Sequence, residues 1–263
     1  EGLTRLADMA LYAAKARGRN TYMFFESSME SAARRRLSLM TDLHASLAND
    51  RLELHYQPLV SLGSGQVVGA EALLRWRHPT RGLIAPAEFV PLAEETGLIV
   101  AIGQWALRQA CEVALTWPSH MRVAVNLSPL QFASRSLVLD VKKVLEQTRL
   151  EPRRLELEIT ESSLTGDSVS VGESLRTLRE LGVRVALDDF GTGYSSLAYL
   201  RTYPLDALKI DGAFVRTLNG EQDATEVIRA IVQVAGAQRM DVTAEGVETL
   251  AQFELLRSLG CTD

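Results

Sequence analysis

Short apolar strands alternating with amphipathic helices predict an α/β fold, a TIM-like (β/α)8 barrel with one strand antiparallel to the rest. Three observations carry that prediction. From Leu52 onward, helix and strand periodicities follow one another with little chain between them, which requires parallel strands with helices outside. The first two strands, LELHYQPLV and QVVGAEALLRW, are separated only by SLGSG, a hairpin spacing that sets one against the other. Seven strands are legible and one more would close the barrel; the sequence ends at Asp263, where that strand should begin, so the barrel reads as truncated before its last strand with two edges unpaired.

Taken in order, residues 3–17 carry Leu3, Leu6, Ala10 and Ala14 as a helical stripe, closed by Gly18 and followed by a strand-like TYMFF. One helix and one strand cannot make a core, so residues 1–26 read as the tail of a preceding domain. Ser27 and Glu30 have the spacing of a capping box. Met29, Ala33, Leu37, Met40, Leu43 and Leu47 then mark one face of a long helix, residues 27–50, read as a linker with Arg34–Arg36 on its solvated side. Residues 51–263 make the barrel domain. There Pro86–Glu95 and Ile102–Trp117 read as helices before the strand MRVAVNLS, Leu137–Thr148 precedes RLELEIT, and Val169–Leu181 precedes VRVALDD. A short helix at Ser195–Arg201, the strand DALKID, a helix at Ala224–Ala237, the strand MDVTAEG and a helix at Thr249–Leu259 complete the rhythm.

Composition narrows the chemistry. At 263 residues, 46% of them hydrophobic, the chain can bury the core of one barrel and an appendage. A net charge of −5 argues against a DNA- or RNA-binding face, which needs basic residues. Cys111 and Cys261 are too few for a disulfide framework, which suits a reducing, cytoplasmic setting. With no clustered histidines or cysteines, zinc is disfavoured and any metal would be held by oxygen. No run of about 18 apolar residues spans a membrane in this stretch. The chain opens on Glu1 without an initiator methionine, as a piece of a longer protein would.

The strand ends are where a β/α barrel carries its reactive groups, and six of them end in polar residues. Glu71 interrupts an apolar strand, Asn126 ends MRVAVN, Glu158 lies in LELEIT, Asp188 and Asp189 end VRVALDD, Lys209 and Asp211 end DALKID, and Glu245 ends MDVTAE. Each alone has a plain account: Asn126 or Asp211 caps a turn, Glu158 is solvated, Lys209 pairs with an acid. Together they form a set of carboxylates, one amide and one ammonium, without sulfur or imidazole. Hard oxygen donors of this kind match Mg²⁺ or Mn²⁺. Two adjacent carboxylates, Asp188 and Asp189, repel each other until a cation joins them, and two ions about 4 Å apart act on phosphodiesters. Lys209 would orient or deprotonate the attacking water or neutralise developing charge, and Arg75, on the strand face of Glu71, would hold a phosphate bidentately. Gly191 and Gly193 flank a turn after the aspartates that lets backbone approach a ligand.

YQP at 56–58, GAEALLRW at 69–76, NLSPLQF at 126–132, ELEITES at 156–162, DDFGTGYSSL at 188–197, LKID at 208–211 and AEGVET at 244–249 resemble, in order, the EAL-domain family of cyclic di-GMP phosphodiesterases. The resemblance runs from about Leu52 to the last residue. It implies a two-metal enzyme that uses Mg²⁺ or Mn²⁺ to hydrolyse cyclic di-GMP to the linear dinucleotide pGpG, and it suggests a homodimer. By the same resemblance Glu71, Asn126, Glu158 and Asp188 would be metal ligands, Asp189 would hold the second metal, and Lys209 and Glu245 would contact or activate the catalytic water. Arg75 would meet a substrate phosphate, Gln57 and Asp211 would lie beside the substrate, and Glu161 would steady the Asp188–Ser196 loop. The family continues past this point into a further strand with a site glutamine. Upstream, ADMALYAAKARGRN resembles the closing helix and turn of a GGDEF domain, the diguanylate cyclase fold, without any of its signature site.

Two rival readings have discriminating features. A catalytically inactive receptor that binds cyclic di-GMP and signals to a partner usually lacks some of the metal ligands, and all of them up to residue 263 are present here. A different metal-dependent barrel enzyme, such as an aldolase, would have to treat the motif matches as accidents.

Overall fold

The computed structural model describes residues 2–16, 21–134, 136–164, 168–191, 197–218 and 222–263. The chain divides into two compact units, residues 1–53 with 76–98, and residues 54–75 with 99–263.

The smaller unit contains helices α1 (Gly2–Ala16) and α2 (Ser27–Ala48), the start of strand β1 (Leu52–Val60), the end of strand β2 (Val67–His78), strand β3 (Gly82–Ile84) and helix α3 (Pro86–Thr96). Residues 21–26 form no strand, contrary to the reading of TYMFF. Tyr22 and Phe24 are both 79% exposed and stand edge-to-face on each other, and a lone strand without a ladder partner has nothing to satisfy its backbone. The expected capping box is also absent: Glu26 is the N-cap, with no side-chain cap, and Ser28 bonds back to it. The buried stripe of α2 is Leu39, Leu43 and Ser46, while Leu37 is 68% exposed. Ser46 sets that stripe by accepting a hydrogen bond from the indole of fully buried Trp76, which stacks edge-on against Phe89. The arginines expected on the solvated side are exposed at Arg34 and Arg35 and carry ion pairs there: Arg34 with Glu30, Arg35 with Glu88 and Arg36 with Glu95 of α3. β3 pairs antiparallel with β2, His78 opposite Gly82, an addition that a three-residue strand hides from sequence.

The larger unit begins its helices with α4 (Leu98–Ala114), then runs β4 (Arg122–Leu127), α5 (Pro129–Phe132), α6 (Leu137–Thr148), β5 (Leu155–Thr160), α7 (Ser168–Glu180), β6 (Arg184–Phe190), α8 (Leu197–Thr202), β7 (Ala207–Ile210), α9 (Gly212–Thr217), α10 (Gln222–Ala237), β8 (Asp241–Ala244) and α11 (Leu250–Leu259). The sheet order is β1-β2-β4-β5-β6-β7-β8, with every pair from β2–β4 to β7–β8 parallel. The predicted open edges are partly bridged. Thr262 donates to the Val242 carbonyl at 2.8 Å, Ala244 donates to the Asp263 carbonyl, and Leu62 donates to the Thr262 carbonyl at 2.9 Å, so the residues after α11 already occupy the gap. Among the described residues no helix is long and apolar enough to cross a membrane.

Barrel geometry explains the pattern of β5. Leu155, Leu157 and Ile159 are fully buried against the helices, while Glu156 and Glu158, 2% and 1% exposed, point inward. Two polar tiers result. In the lower one Arg184 of β6 binds Glu156 at 2.9 Å and Asp241 at 2.7 Å, and Arg122 of β4 binds Glu156 and Asp263. Ala124, level with Glu156, and Ala186, level with Glu158, are small, fully buried neighbours of the two tiers. Gly69 makes room for Arg122, since a Cβ there would stand 2.5 Å from the Arg122 carbonyl oxygen and 2.7 Å from its Cγ.

Candidate active site

The upper tier closes on one atom. Lys209 Nζ, on a side chain 2% exposed, lies 2.7 Å from Glu245, 2.8 Å from Glu158, 3.1 Å from Glu71 and 3.4 Å from Asp188. Parallel register assembles the set: Glu71 is level with Ala124, Asn126 with Glu158, Asp188 with Thr160 and Lys209 with Thr243. Asn126 Nδ2 donates to the other oxygen of Glu71 at 2.6 Å.

Four carboxylates against one ammonium leave a formal surplus of three negative charges in a buried site. Its strain is visible in the protonation equilibria. Burial, reinforced by Glu71 and Asp188, holds the Glu158 carboxyl well above the usual carboxylate range despite Lys209. Burial likewise raises Glu245. For Lys209 burial works the other way, but the carboxylates, Glu158 foremost, outweigh it and raise its pKa. Glu158 Oε1 is buried with no hydrogen-bond partner. Among the described residues no three carboxylate, imidazole or thiol groups stand ready-made around a common metal position; they converge on Lys209. The donor chemistry nevertheless fits a hard divalent cation: all-oxygen, overcharged, and with one buried oxygen unused.

Asp188 and Asp189 lie at an irregularity in β6, where pairing with β7 shifts between Leu187 and Phe190. Asp189 has φ 55°, a left-handed conformation that costs a non-glycine residue energy. Its backbone N–H donates to Asp188 Oδ1 at 2.9 Å. In a regular strand the two side chains would take opposite faces. Here burial, then Asp188 and Asp211, raise the Asp189 carboxyl.

A cavity of about 570 Å³ is lined by Glu71, Asp188, Lys209 and Glu245 of this cluster together with Leu59, Leu62, Phe253 and Arg216. Gln57 and Asp211 line it too; Asp211 also caps α9, its Oδ1 accepting from Ala213 N at 2.7 Å. Arg75 is not among the lining residues and donates to the Leu74 carbonyl at 2.9 Å. Glu161 opens a 3-10 turn after β5. Gly193 and the rest of residues 192–196, which it was expected to steady, lie outside the described residues, as does Gly18. Some motif residues are structural: Ser128 and Gln131 of NLSPLQF form a capping box, as do Thr249 and Gln252 after AEGVE.

Arg216 was not anticipated. Its only sequence signal is its position four residues beyond Gly212, directly after a strand end.

The profile of the EAL domain matches residues 40–262. The chain is 48% identical over 259 residues to the bifunctional diguanylate cyclase/cyclic di-GMP phosphodiesterase MucR of Pseudomonas aeruginosa, covering 97% of this chain and 38% of that one. It is 44% identical over 265 residues to the cyclic di-GMP phosphodiesterase NbdA of the same organism, covering 99% and 34%. The solved structure of the PaMucR phosphodiesterase in complex with c-di-GMP superposes with a TM-score of 0.81 at 46% identity, covering 86% of this chain and 93% of that one. The chain thus spans about a third of the length of the curated relatives it matches. With the motifs in order and the barrel formed around them, the chain belongs to the EAL-domain family.

Proposed function

We propose that this domain is a Mg²⁺- or Mn²⁺-dependent phosphodiesterase that hydrolyses cyclic di-GMP to linear pGpG. The observation that carries the reading is the overcharged carboxylate cluster around Lys209, with its unused buried oxygen on Glu158, at the floor of a cavity of about 570 Å³. The names of the relatives support the same substrate.

Glu71, Asn126, Glu158 and Asp188 would hold the first cation, with Asp189 at the strand irregularity serving a second. Bound there, the cations would supply a water of lowered pKa and polarise the phosphoryl oxygens. The attacking oxygen of water bonds to phosphorus as the bond from phosphorus to the ribose 3′-oxygen breaks, leaving a 5′-phosphate and a 3′-hydroxyl. Glu245 suits the role of proton acceptor: it lines the cavity 2.7 Å from Lys209, and burial raises its carboxyl. Lys209 keeps its proton among the carboxylates, so it serves as a fixed donor that orients groups and offsets negative charge rather than as a base. The resemblance of residues 7–20 to the end of a GGDEF domain supports an adjoining domain of that type in the longer protein.

Incubating the domain with cyclic di-GMP and Mg²⁺ or Mn²⁺, and resolving the nucleotides chromatographically, tests the reading. Conversion to pGpG that is lost with Glu71→Ala supports it. Tight binding without conversion would favour a receptor instead.

A further inference from the structure

Two glycines at neighbouring strand ends form a shelf beneath one arginine. A Cβ added at Gly212, just after β7, would stand 3.1 Å from Arg216 Nη1 and 3.4 Å from the Glu245 carbonyl oxygen. One added at Gly246, where φ is 70°, would stand 3.2 Å from the Gly212 Cα and 3.9 Å from Arg216 Nη1. Without side chains at those two positions, the Arg216 guanidinium folds back along α9 onto the backbone at the mouth of the barrel.

Among the described residues, Lys209 and Arg216 are the cations that line the cavity. Lys209 is committed to four carboxylates. Arg216 is exposed and makes no ion pair among the described residues, so its donors are open to a ligand. Its guanidinium lies beside Gly212 and Gly246, and it shares the lining of the cavity with the carboxylates.

A cyclic dinucleotide carries two phosphodiesters across one ring. When one stands over the carboxylates, the other must lie elsewhere in the same cavity, next to a wall whose excess charge is negative. A guanidinium with free donors removes that repulsion and can bind the phosphate through two parallel hydrogen bonds. We propose that Arg216 holds the phosphate that is not cleaved, and that Gly212 and Gly246 serve to position it. The inference rests on the cyclic dinucleotide reading of the site. It makes Arg216 a binding residue for a substrate with two phosphates and irrelevant to one with a single phosphate.

The test compares wild type, Arg216→Ala, Arg216→Lys and Gly212→Ala on cyclic di-GMP and on bis(p-nitrophenyl) phosphate, a diester with one phosphate. Loss of charged hydrogen bonds of this kind costs about 10- to 100-fold in affinity. Arg216→Ala should raise KM for cyclic di-GMP by that factor with kcat little changed, leave the small diester unaffected, and flatten the rise of KM with salt. Arg216→Lys should fall between, and Gly212→Ala should shift KM in the same direction with Arg216 still present. An unchanged KM, an equal loss on both substrates, or an unchanged salt dependence, which would mark contact with an uncharged guanine edge, would overturn the assignment. If wild type binds cyclic di-GMP without turning it over, the phosphodiesterase reading fails while the Arg216 assignment is read from the calorimetric Kd, with the same fold-change supporting it. No binding by wild type overturns both.

Discussion

Lys209 Nζ lies 2.8 Å from one oxygen of Glu158, while the other oxygen of that carboxylate is buried with no donor at all. The ammonium therefore half-satisfies a group that is 1% exposed. A buried carboxylate oxygen left unpaired costs free energy, and its position at a strand end among three other carboxylates is what the proposed cation would relieve.

Replacing Lys209 by Met should separate binding from chemistry. Removing one preorganised donor from a developing oxyanion typically costs about 10²- to 10³-fold in kcat. We expect a fall of that size with a much smaller change in KM for cyclic di-GMP. Steady-state kinetics would show a raised KM with kcat little changed if Lys209 were only a substrate contact.

The lower tier makes a prediction about stability alone. Arg184→Met leaves Glu156, 2% exposed, with only the 3.6 Å approach of Arg122 Nε. Breaking a buried pair from one side costs about 3 kcal/mol or more, to be read as a lower urea midpoint with a similar m-value. Adding Glu156→Gln should recover much of the loss, because the amide brings no buried charge. A single variant as stable as wild type would mean that the pair is solvated in solution.

Burial pushes the Cys111 thiol up to about 12 and the Cys261 thiol to about 11. An unfolded thiol ionises near about 8.5. Both folded values are raised, so this contribution to stability is fully present below the unfolded pKa and is lost as pH climbs from there toward the folded values. The urea midpoint should decline above that point, less steeply in Cys111→Ala/Cys261→Ala. At pH 8 a thiol reagent should label native protein slowly and both cysteines promptly in urea; prompt native labelling would contradict the burial.

How much of this was legible in the sequence follows from how local each signal is. Helix Leu137–Thr148 and the strand-end carboxylates were readable because period and position along the chain suffice to find them. The alternation in LELEIT was readable as a strand but not as barrel interior, since a solvated face and a charged core give the same period of two. The Arg122–Glu156–Arg184 network joins three strands and depends on register, which no local pattern encodes. Arg216 was missed for a similar reason: its meaning comes from glycines on two separate strand ends. The stripe of α2 was misplaced because Ser46, a polar residue, is the one that meets Trp76.

The central claim is that the cluster around Lys209 is a cation site, and titrating the domain with Mn²⁺ by calorimetry and thermal unfolding tests it most directly. Saturable binding should raise Tm with increasing Mn²⁺, as mass action requires, and Glu158→Gln should weaken the binding about tenfold or more while the protein remains folded. No Mn²⁺ binding with or without cyclic di-GMP, together with nucleotide hydrolysis that persists in chelator, would contradict the account.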